Sequence, residues 1–284
     1  MNLWHRLVGG GDESISRARR PQAAAARRGA PPRQGVDWLG REPGPEAPRL
    51  IRALLWAARL FLFRLCRLQL RVSGSQHLPD GGFIAVAALH RSWIDPLLVI
   101  EALPLEPRVW FLGSGASAFD RPWKERLLRR TGGLLPVWRG SGDPAVHLRS
   151  AQAVIDNGAV LALFAEGRIG GPPDAPAPMR SGAALLCLRT GAPIVPIALC
   201  GSEELYRGKR LRVSILPATS ATELLGPDWH GPPEPGTREE LRTARALTAA
   251  LSSRLAEAVD ASYGATVDPP AAKRSWPWLT RLMR

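Results

Sequence analysis

Short apolar runs alternate with helical patterns between residues 72 and 217, and this alternation restricts the possible fold more than any other feature of the chain. The apolar runs have the length and composition of buried strands, and helix-like segments separate several of them. The predicted strands are 83–89, 108–112, 134–138, 159–164, 193–199 and 211–216, and the predicted helices are 96–103, 122–130, 146–156 and 182–190. Strands interleaved with helices predict an α/β domain built on a single mixed, largely parallel sheet flanked by helices.

Changes in composition divide the chain into four segments. They are a flexible arm rich in Arg, Ala and Pro (1–48), a basic amphipathic helix (49–71), the α/β domain (72–225), and a linker, C-terminal helix and basic Trp-containing tail (226–284). The arm has too little apolar surface to offset the entropy of ordering it. In the last segment, Thr237 and Glu240 form a capping-box pattern that predicts the start of the C-terminal helix.

The 49–71 segment carries apolar residues at helical spacing, and its only charged residues are arginines. Trp, Phe and Leu beside arginines, without any acidic residue, are typical of a helix that lies on an anionic membrane surface. A core-packing helix whose arginines are merely solvated is the alternative. Every apolar run is shorter than the roughly 20 residues that a spanning helix needs, and no secretory signal is evident in the first residues. We therefore expect a peripheral or monotopic protein on the cytoplasmic face of a membrane.

Basic residues outnumber acidic ones, 38 to 25, and the formal net charge is +13. Such a surface attracts polyanions, including nucleic acid, anionic lipid and phosphorylated substrates. No motif that reads nucleic acid is present, so the sequence predicts no specific nucleic-acid partner. The three cysteines are far apart, which favours a reducing cytoplasm over a disulfide framework or a metal site. A non-catalytic module that binds anionic membranes or nucleic acid is the alternative to an enzyme.

His90 follows a predicted strand, and Asp95-Pro96 is typical of the start of a helix. On a continuous helix, residues five apart differ by roughly 140° and could not pair. His90 must therefore lie in the turn before the helix, or early in a distorted helix, for Asp95 to reach it. A carboxylate on one imidazole nitrogen leaves the other nitrogen able to act as a base. A turn histidine and a capping aspartate without chemistry between them are the alternative.

Three further segments carry charged residues or prolines at the edge of a predicted strand. In 164–170 (FAEGRIG), Gly167 lets the backbone approach a ligand and Arg168 offers a fork for phosphate. Taken alone, this segment is better explained as a short charged turn. The other two segments are 134–139 (LLPVWR), which ends in Arg139, and 191–197 (GAPIVPI), which contains two prolines.

The chain thus contains four motif segments, 90–95, 134–139, 164–170 and 191–197. In this order and spacing they resemble the glycerolipid acyltransferases, the family of 1-acylglycerol-3-phosphate acyltransferase, over residues 70–220. His90 and Asp95 match the family's H-x-x-x-x-D motif. The other matches are Arg139 at the end of a strand, Phe164, Glu166 and Gly167 in F-P-E-G-T-R, and Pro193 and Pro196 in a P-x-x-P-like strand. The chain departs from the family at Leu89, where Asn is frequent, and at Ala165, which replaces proline. The motif's threonine is absent, so Arg168 directly follows Gly167.

The resemblance implies a glycerol-3-phosphate acyltransferase-like fold and an enzyme of phospholipid synthesis. It implies transfer of a fatty acyl group from acyl-CoA or acyl-carrier protein to the hydroxyl of a lysophospholipid, foremost 1-acyl-sn-glycerol-3-phosphate, without a metal, cofactor or acyl-enzyme. In the family, the histidine is the general base and the aspartate orients it, roles that fall on His90 and Asp95. The resemblance implies that the segment with Glu166, Gly167 and Arg168, together with Arg139, binds the phosphate of the acceptor. We expect Glu166 to orient an arginine or a backbone turn.

Overall fold

The computed structural model describes residues 47–104, 107–131, 133–137 and 144–282. Arg139 and all but the last two residues of the predicted arm lie outside these ranges. Within them, seven strands form one sheet with the order β1-β7-β6-β2-β5-β3-β4. The strands are β1 (Gln69–Ser73), β2 (Ile84–Ala88), β3 (Val109–Ser114), β4 (Leu134–Val137), β5 (Val160–Phe164), β6 (Ile194–Cys200) and β7 (Arg210–Ile215).

The sheet is mixed but largely parallel. Strands β6, β2, β5, β3 and β4 run in the same direction. Strands β7 and β1 are parallel to each other, and β7 is antiparallel to β6. A single mixed, largely parallel sheet flanked by helices is the fold that the alternation of apolar runs predicts, and this prediction is confirmed.

Helices cover both faces of the sheet. They are α1 (Ala47–Arg59), α2 (Asp95–Ala102), α3 (Gly115–Ala118), α4 (Pro122–Thr131), α5 (Pro144–Asp156), α6 (Gly182–Thr190), α7 (Ala221–Leu225) and α8 (Arg238–Tyr263). A short π-helical segment (Leu60–Leu65) continues α1, and 3-10 turns follow α8. None of the described helices is long and apolar enough to cross a membrane.

The central strand β2 shows why these runs form strands. All five of its residues are buried, as expected for a strand covered on both faces. Ile84 and Val86 pack into one apolar cluster with residues of α5, α6 and α8, whereas Ala85 packs into a second cluster with residues of α2 and the π-helical segment. This alternation follows from the two-residue period of a strand. The end of β2 is therefore held from both sides.

The helix predicted over 49–71 is wrong in its last third. The π-helical segment ends at Leu65, and residues 69–73 form β1, an edge strand in parallel register with β7. Leu68, Leu70 and Val72 alternate with Gln69 and Arg71, so the apolar residues satisfy a two-residue period as well as a helical one. Pairing with β7 makes residues 69–73 a strand rather than a helix, and β7 lies about 140 residues later in the chain.

The predicted capping box of α8 forms only in part. The Thr237 hydroxyl accepts a hydrogen bond from the Glu240 N–H at 3.1 Å, as an N-cap does. The Glu240 carboxylate instead accepts from the Gly236 N–H at 2.7 Å and from Arg189 Nε and Nη2 at 2.6 and 2.9 Å. This bidentate contact joins α8 to α6. A buried carboxylate takes the strongest donor that packing brings to it.

We expect Glu240→Gln to lower the free energy of unfolding by about 1–3 kcal/mol at neutral pH, because it removes a buried charged acceptor from Arg189. Burial raises the pKa of the Glu240 carboxyl, but the hydrogen bonds from Arg189 and the Gly236 N–H outweigh burial and leave the pKa lowered. The stabilisation is therefore present above the unfolded pKa of about 4.3 and is lost as the pH falls through the lower folded pKa.

Urea denaturation of wild type and variant from neutral pH down to below about pH 4 measures both effects. Glu239→Gln is the matched control, since its exposed carboxylate belongs to the same helical turn. An equal loss of stability in the two variants would contradict the role given to the Arg189 contact.

Candidate active site

The carboxyl ends of β2 and β5 lie side by side at one edge of the sheet. The two strands are parallel neighbours, with Ala87 opposite Phe164. The loop from Leu89 to Ile94 leaves β2, and the loop that begins at Ala165 leaves β5. Ligand sites of open α/β sheets lie at such an edge, where the loops leave the strands. The motifs at 90–95 and 164–170 are therefore brought together.

His90 lies in the turn before α2, as its pairing with Asp95 requires. Asp95 is fully buried, and its Oδ2 atom lies 2.9 Å from His90 Nδ1. The same oxygen accepts hydrogen bonds from the N–H groups of Arg91 and Ser92, each at 2.7 Å. Since the carboxylate accepts, Nδ1 donates, and Nε2 is left with a lone pair. The His90 side chain retains 13% of its exposure, so a substrate can reach it.

Phe164, the last residue of β5, fixes the plane of the His90 ring. The two rings are nearly parallel, with an interplanar angle of 11° and centroids 3.8 Å apart. Phe111 of β3 stacks behind Phe164, with ring centroids 6.4 Å apart. The imidazole is thus held by Asp95 at its edge and by Phe164 on its face. A base that is fixed in this way needs little reorganisation when it accepts a proton.

Glu166 is buried and holds the backbone that carries His90. Its carboxylate accepts hydrogen bonds from the N–H groups of Leu89 at 3.3 Å, His90 at 3.2 Å and Ala177 at 2.9 Å. Leu89 has a φ of 65°, a left-handed conformation that costs a non-glycine residue about 1–2 kcal/mol. Because Glu166 binds the N–H groups of Leu89 and its neighbour, it stabilises the strained turn that presents His90.

Arg91 is a buried arginine, and its guanidinium is fully occupied by groups of the protein. It forms a forked pair with Glu166, from Nη1 to Oε2 at 2.5 Å and from Nη2 to Oε1 at 3.2 Å. Nε donates to the Pro172 carbonyl, and the two terminal nitrogens also donate to the carbonyls of Gly170 and Ala175, all at 2.7–2.8 Å. Arg91 therefore holds the loop after β5 and has no free donor for a substrate phosphate.

The Gly167–Gly170 turn lies against His90. Gly167 has a φ of 65°, which favours glycine, and the Gly170 N–H donates to the His90 carbonyl at 2.8 Å. Arg168 is exposed, and among the described residues its guanidinium has neither a hydrogen-bond nor an ion-pair partner. This turn therefore contacts the His90 backbone through Gly170 and carries an unpaired cation two residues before that contact.

The structure thus gathers His90, Asp95, Glu166, Gly167 and Arg168 at one edge of the sheet. Arg139 lies outside the described residues. The sequence motifs predict no role for Arg91, although it directly follows His90. Its position inside the H-x-x-x-x-D motif was the available signal, but nothing local shows that its partner lies 75 residues later.

Comparison with known proteins agrees with this architecture. The family model described as Acyltransferase matches residues 69–200, a range that includes both loops of the site. Among solved structures, the 1-acyl-sn-glycerophosphate (LPA) acyltransferase PlsC from Thermotoga maritima matches with a TM-score of 0.51 and 19% sequence identity. The match covers 74% of this chain and 80% of that chain. At this identity the likeness shows the fold. Comparison with curated protein sequences finds no significant match.

We expect Glu166→Gln to lower kcat much more than it raises either KM. The amide places a donor where Glu166 now accepts from Arg91 and from the backbone, so the turn that carries His90 loses its support. Steady-state kinetics and a thermal unfolding curve for the same preparation measure the effects on activity and on stability.

Asp174→Asn is the matched control, because its exposed carboxylate lies in the same loop. Wild-type kcat in a folded Glu166→Gln protein would contradict the positioning role of Glu166. A fall in kcat under conditions where the variant is fully folded separates positioning from a loss of stability.

Proposed function

The chain carries an acyltransferase-family domain, and we propose that it transfers a fatty acyl group from acyl-CoA or acyl-carrier protein to the hydroxyl of a lysophospholipid, 1-acyl-sn-glycerol-3-phosphate, in phospholipid synthesis. The observation that carries this proposal is the His90–Asp95 pair. It combines a buried carboxylate, held through Oδ2 by His90 Nδ1 and two backbone N–H groups, with a partly exposed imidazole whose Nε2 can accept a proton. With an acyltransferase domain identified, the alternative of a non-catalytic binding module is not needed.

In the proposed reaction, His90 acts as general base on the acceptor. Nε2 takes the proton of the acceptor hydroxyl while the oxygen attacks the thioester carbonyl carbon. The C–O bond forms, the C–S bond breaks, and the leaving thiolate takes the proton from Nε2. Asp95 stabilises the imidazolium that exists between the two proton transfers, because its charged Oδ2 accepts from Nδ1. This acid–base chemistry requires no acyl-enzyme, and we propose no cofactor.

We propose that Arg168 binds the phosphate of the acceptor, together with Arg139. The exposed Arg168 guanidinium supports this role, as do the glycine before it and the contact of its turn with His90. A guanidinium binds phosphate in a forked geometry that both attracts and orients it. Arg91 cannot serve, since its donors are already taken by Glu166 and by backbone carbonyls.

We propose that the enzyme works on an anionic membrane surface, as a peripheral or monotopic protein on its cytoplasmic face. Helix α1 and the π-helical segment that continues it expose large apolar side chains. Trp56 is 66% exposed and Leu65 is 55% exposed. Arg49, Arg52 and Arg64 are exposed on the same segment. Exposed aromatic and aliphatic residues beside arginines suit the interface between lipid head groups and acyl chains.

We expect His90→Ala to lower kcat by a factor on the order of 10²–10⁴, the contribution of a positioned general base. Asp95→Asn should also lower kcat strongly, because its carbonyl can still accept from the Arg91 and Ser92 N–H groups but carries no charge. The assay follows labelled acyl-CoA and labelled acyl-carrier protein with lysophosphatidate and other lipid alcohols.

His230→Ala is the matched control, since its side chain is exposed and far along the chain from the site. Residual activity of folded His90→Ala within a few-fold of wild type would exclude His90 as the base. If Asp95→Asn retained full activity, Asp95 would only hold the turn before α2, because the Asn carbonyl can still accept from the Arg91 and Ser92 N–H groups.

We expect Arg168→Lys to raise the KM for lysophosphatidate by about tenfold, which corresponds to the loss of one charge-assisted hydrogen bond. The lysine keeps the charge but lacks the fork, and the KM for the acyl donor should change much less. Arg242→Lys, an exposed arginine of α8, is the control. If Arg168→Lys and Arg139→Lys both left the acceptor KM unchanged, the assignment of a phosphorylated acceptor would be wrong, whereas the role of His90 would stand.

A further inference from the structure

A surface cavity of about 410 Å³ lies where four parts of the described chain meet. They are the π-helical segment, the start of β1, the turn before β7 and the C-terminal tail, residues 264–282. Phe63, Arg67, Gln69, Arg207 and Ser275 line this cavity, which we term the basic cavity. None of these residues belongs to the site around His90.

Two arginines give the basic cavity its charge. Among the described residues, neither Arg67 nor Arg207 has a carboxylate partner, whereas the neighbouring Arg210 pairs with Asp268 and Lys273 with Glu204. The cavity wall therefore carries two cations that no carboxylate of the described residues neutralises. Two unpaired guanidinium groups around an open cavity are suited to bind a phosphate group.

The backbone of Arg67 and the side chain of Arg207 are each held by contacts within the protein. Arg67 has a φ of 54°, a left-handed conformation that is strained for a non-glycine residue. Backbone hydrogen bonds on either side maintain it, from the Gly208 N–H to the Cys66 carbonyl at 3.0 Å and from the Gln69 N–H to the Lys209 carbonyl at 2.9 Å. Arg207 lies over the ring of Trp276, 5.4 Å from its centroid. The backbone at Arg67 and the guanidinium of Arg207 are thus constrained before any ligand binds.

Exposed apolar side chains belong to the segments that form the basic cavity. Leu65 is exposed on the π-helical side, and Trp278 and Leu282 are 47% and 44% exposed on the tail side. The tail is anchored by Leu279, which is 1% exposed, and by hydrogen bonds between Thr280 and the Leu205 backbone. The sequence has no acidic residue after Asp268. Trp and Leu beside cations are typical of a surface that inserts among anionic head groups.

The basic cavity lies at the same edge of the sheet as His90. Because β7 is antiparallel to β6, the starts of β1 and β7 are found where β6 and β2 end, and Arg212 pairs with Cys200 there. The tail also contacts the catalytic loop directly, since Trp93 Nε1 donates to the Leu279 carbonyl at 3.1 Å. A bilayer at the cavity would therefore lie beside the loop that carries His90.

We propose that the basic cavity binds the phosphate of an anionic phospholipid and that the tail and the π-helical segment together dock the enzyme on the bilayer. The proposal rests on the membrane partner proposed above and adds a defined head-group site to it. Charge complementarity between the unpaired arginines and anionic lipid selects this occupant. The acceptor phosphate, by contrast, is assigned to Arg168 beside His90.

The test compares the full-length double variant Arg67→Gln/Arg207→Gln with Arg242→Gln/Arg245→Gln, which removes two exposed charges from α8. Flotation with phosphatidylcholine vesicles, with and without phosphatidylglycerol, measures binding. We expect the cavity variant to lose roughly 10- to 30-fold in binding to the anionic vesicles, as two cations near such a surface imply. The α8 variant should lose less than about threefold. Trp278→Ser should also weaken binding.

Activity separates this proposal from the proposed function. We expect the cavity variant to lose at least tenfold more activity on vesicle-borne lysophosphatidate than on a short-chain, water-soluble acceptor. Equal losses of vesicle binding in the two double variants would overturn the proposal in favour of net charge alone. If the cavity variant showed a raised KM for the acyl donor with the soluble acceptor, the cavity would bind the phosphates of the donor. That result would overturn the proposal. If the wild type bound vesicles through the cavity but transferred no acyl group, only the proposed function would be refuted.

Discussion

The buried pair of Arg91 and Glu166 is the interaction on which the rest of the site depends. It joins the loop after β2 to the loop after β5, and both side chains are almost completely shielded from water. Neither charge could remain buried alone, because an uncompensated buried ion destabilises a protein by several kcal/mol. The pair is tolerated because backbone carbonyls satisfy the remaining guanidinium donors and backbone N–H groups satisfy the carboxylate.

This pair also explains how a strained turn persists at the end of the central strand. Leu89 adopts a left-handed conformation only because Glu166 binds its N–H and that of His90. The same turn brings His90 against Phe164 and within reach of Asp95. Glu166 is buried because it binds Arg91 and the two N–H groups. We therefore assign the proposed chemistry and the proposed phosphate contact to other residues.

Burial separates the groups that support the site from the groups that we propose react with or bind the substrate. Asp95, Arg91 and Glu166 are buried and held by several hydrogen bonds each, whereas His90 and Arg168 remain accessible. A rigid buried layer beneath accessible functional groups is what preorganised chemistry requires. We propose that the membrane, the acceptor and the donor meet at one edge of the sheet. Strands β2, β5 and β6 end at this edge, and β1 and β7 begin there.

The sequence by itself determined the α/β architecture, since short, uniformly apolar runs such as 83–89 and 159–164 are interleaved with helical patterns, as the buried strands of an α/β sheet are. It also restricted the local geometry of His90 and Asp95, because residues five apart cannot pair on a regular helix and His90 must lie before the helix or early in a distorted one. Tertiary structure decided the rest. Whether residues 69–73 continue a helix or form β1 depends on β7, and whether Arg91 is solvated or buried depends on Glu166. These partners lie 75 to 141 residues away, and local propensity carries no information about contacts over such distances.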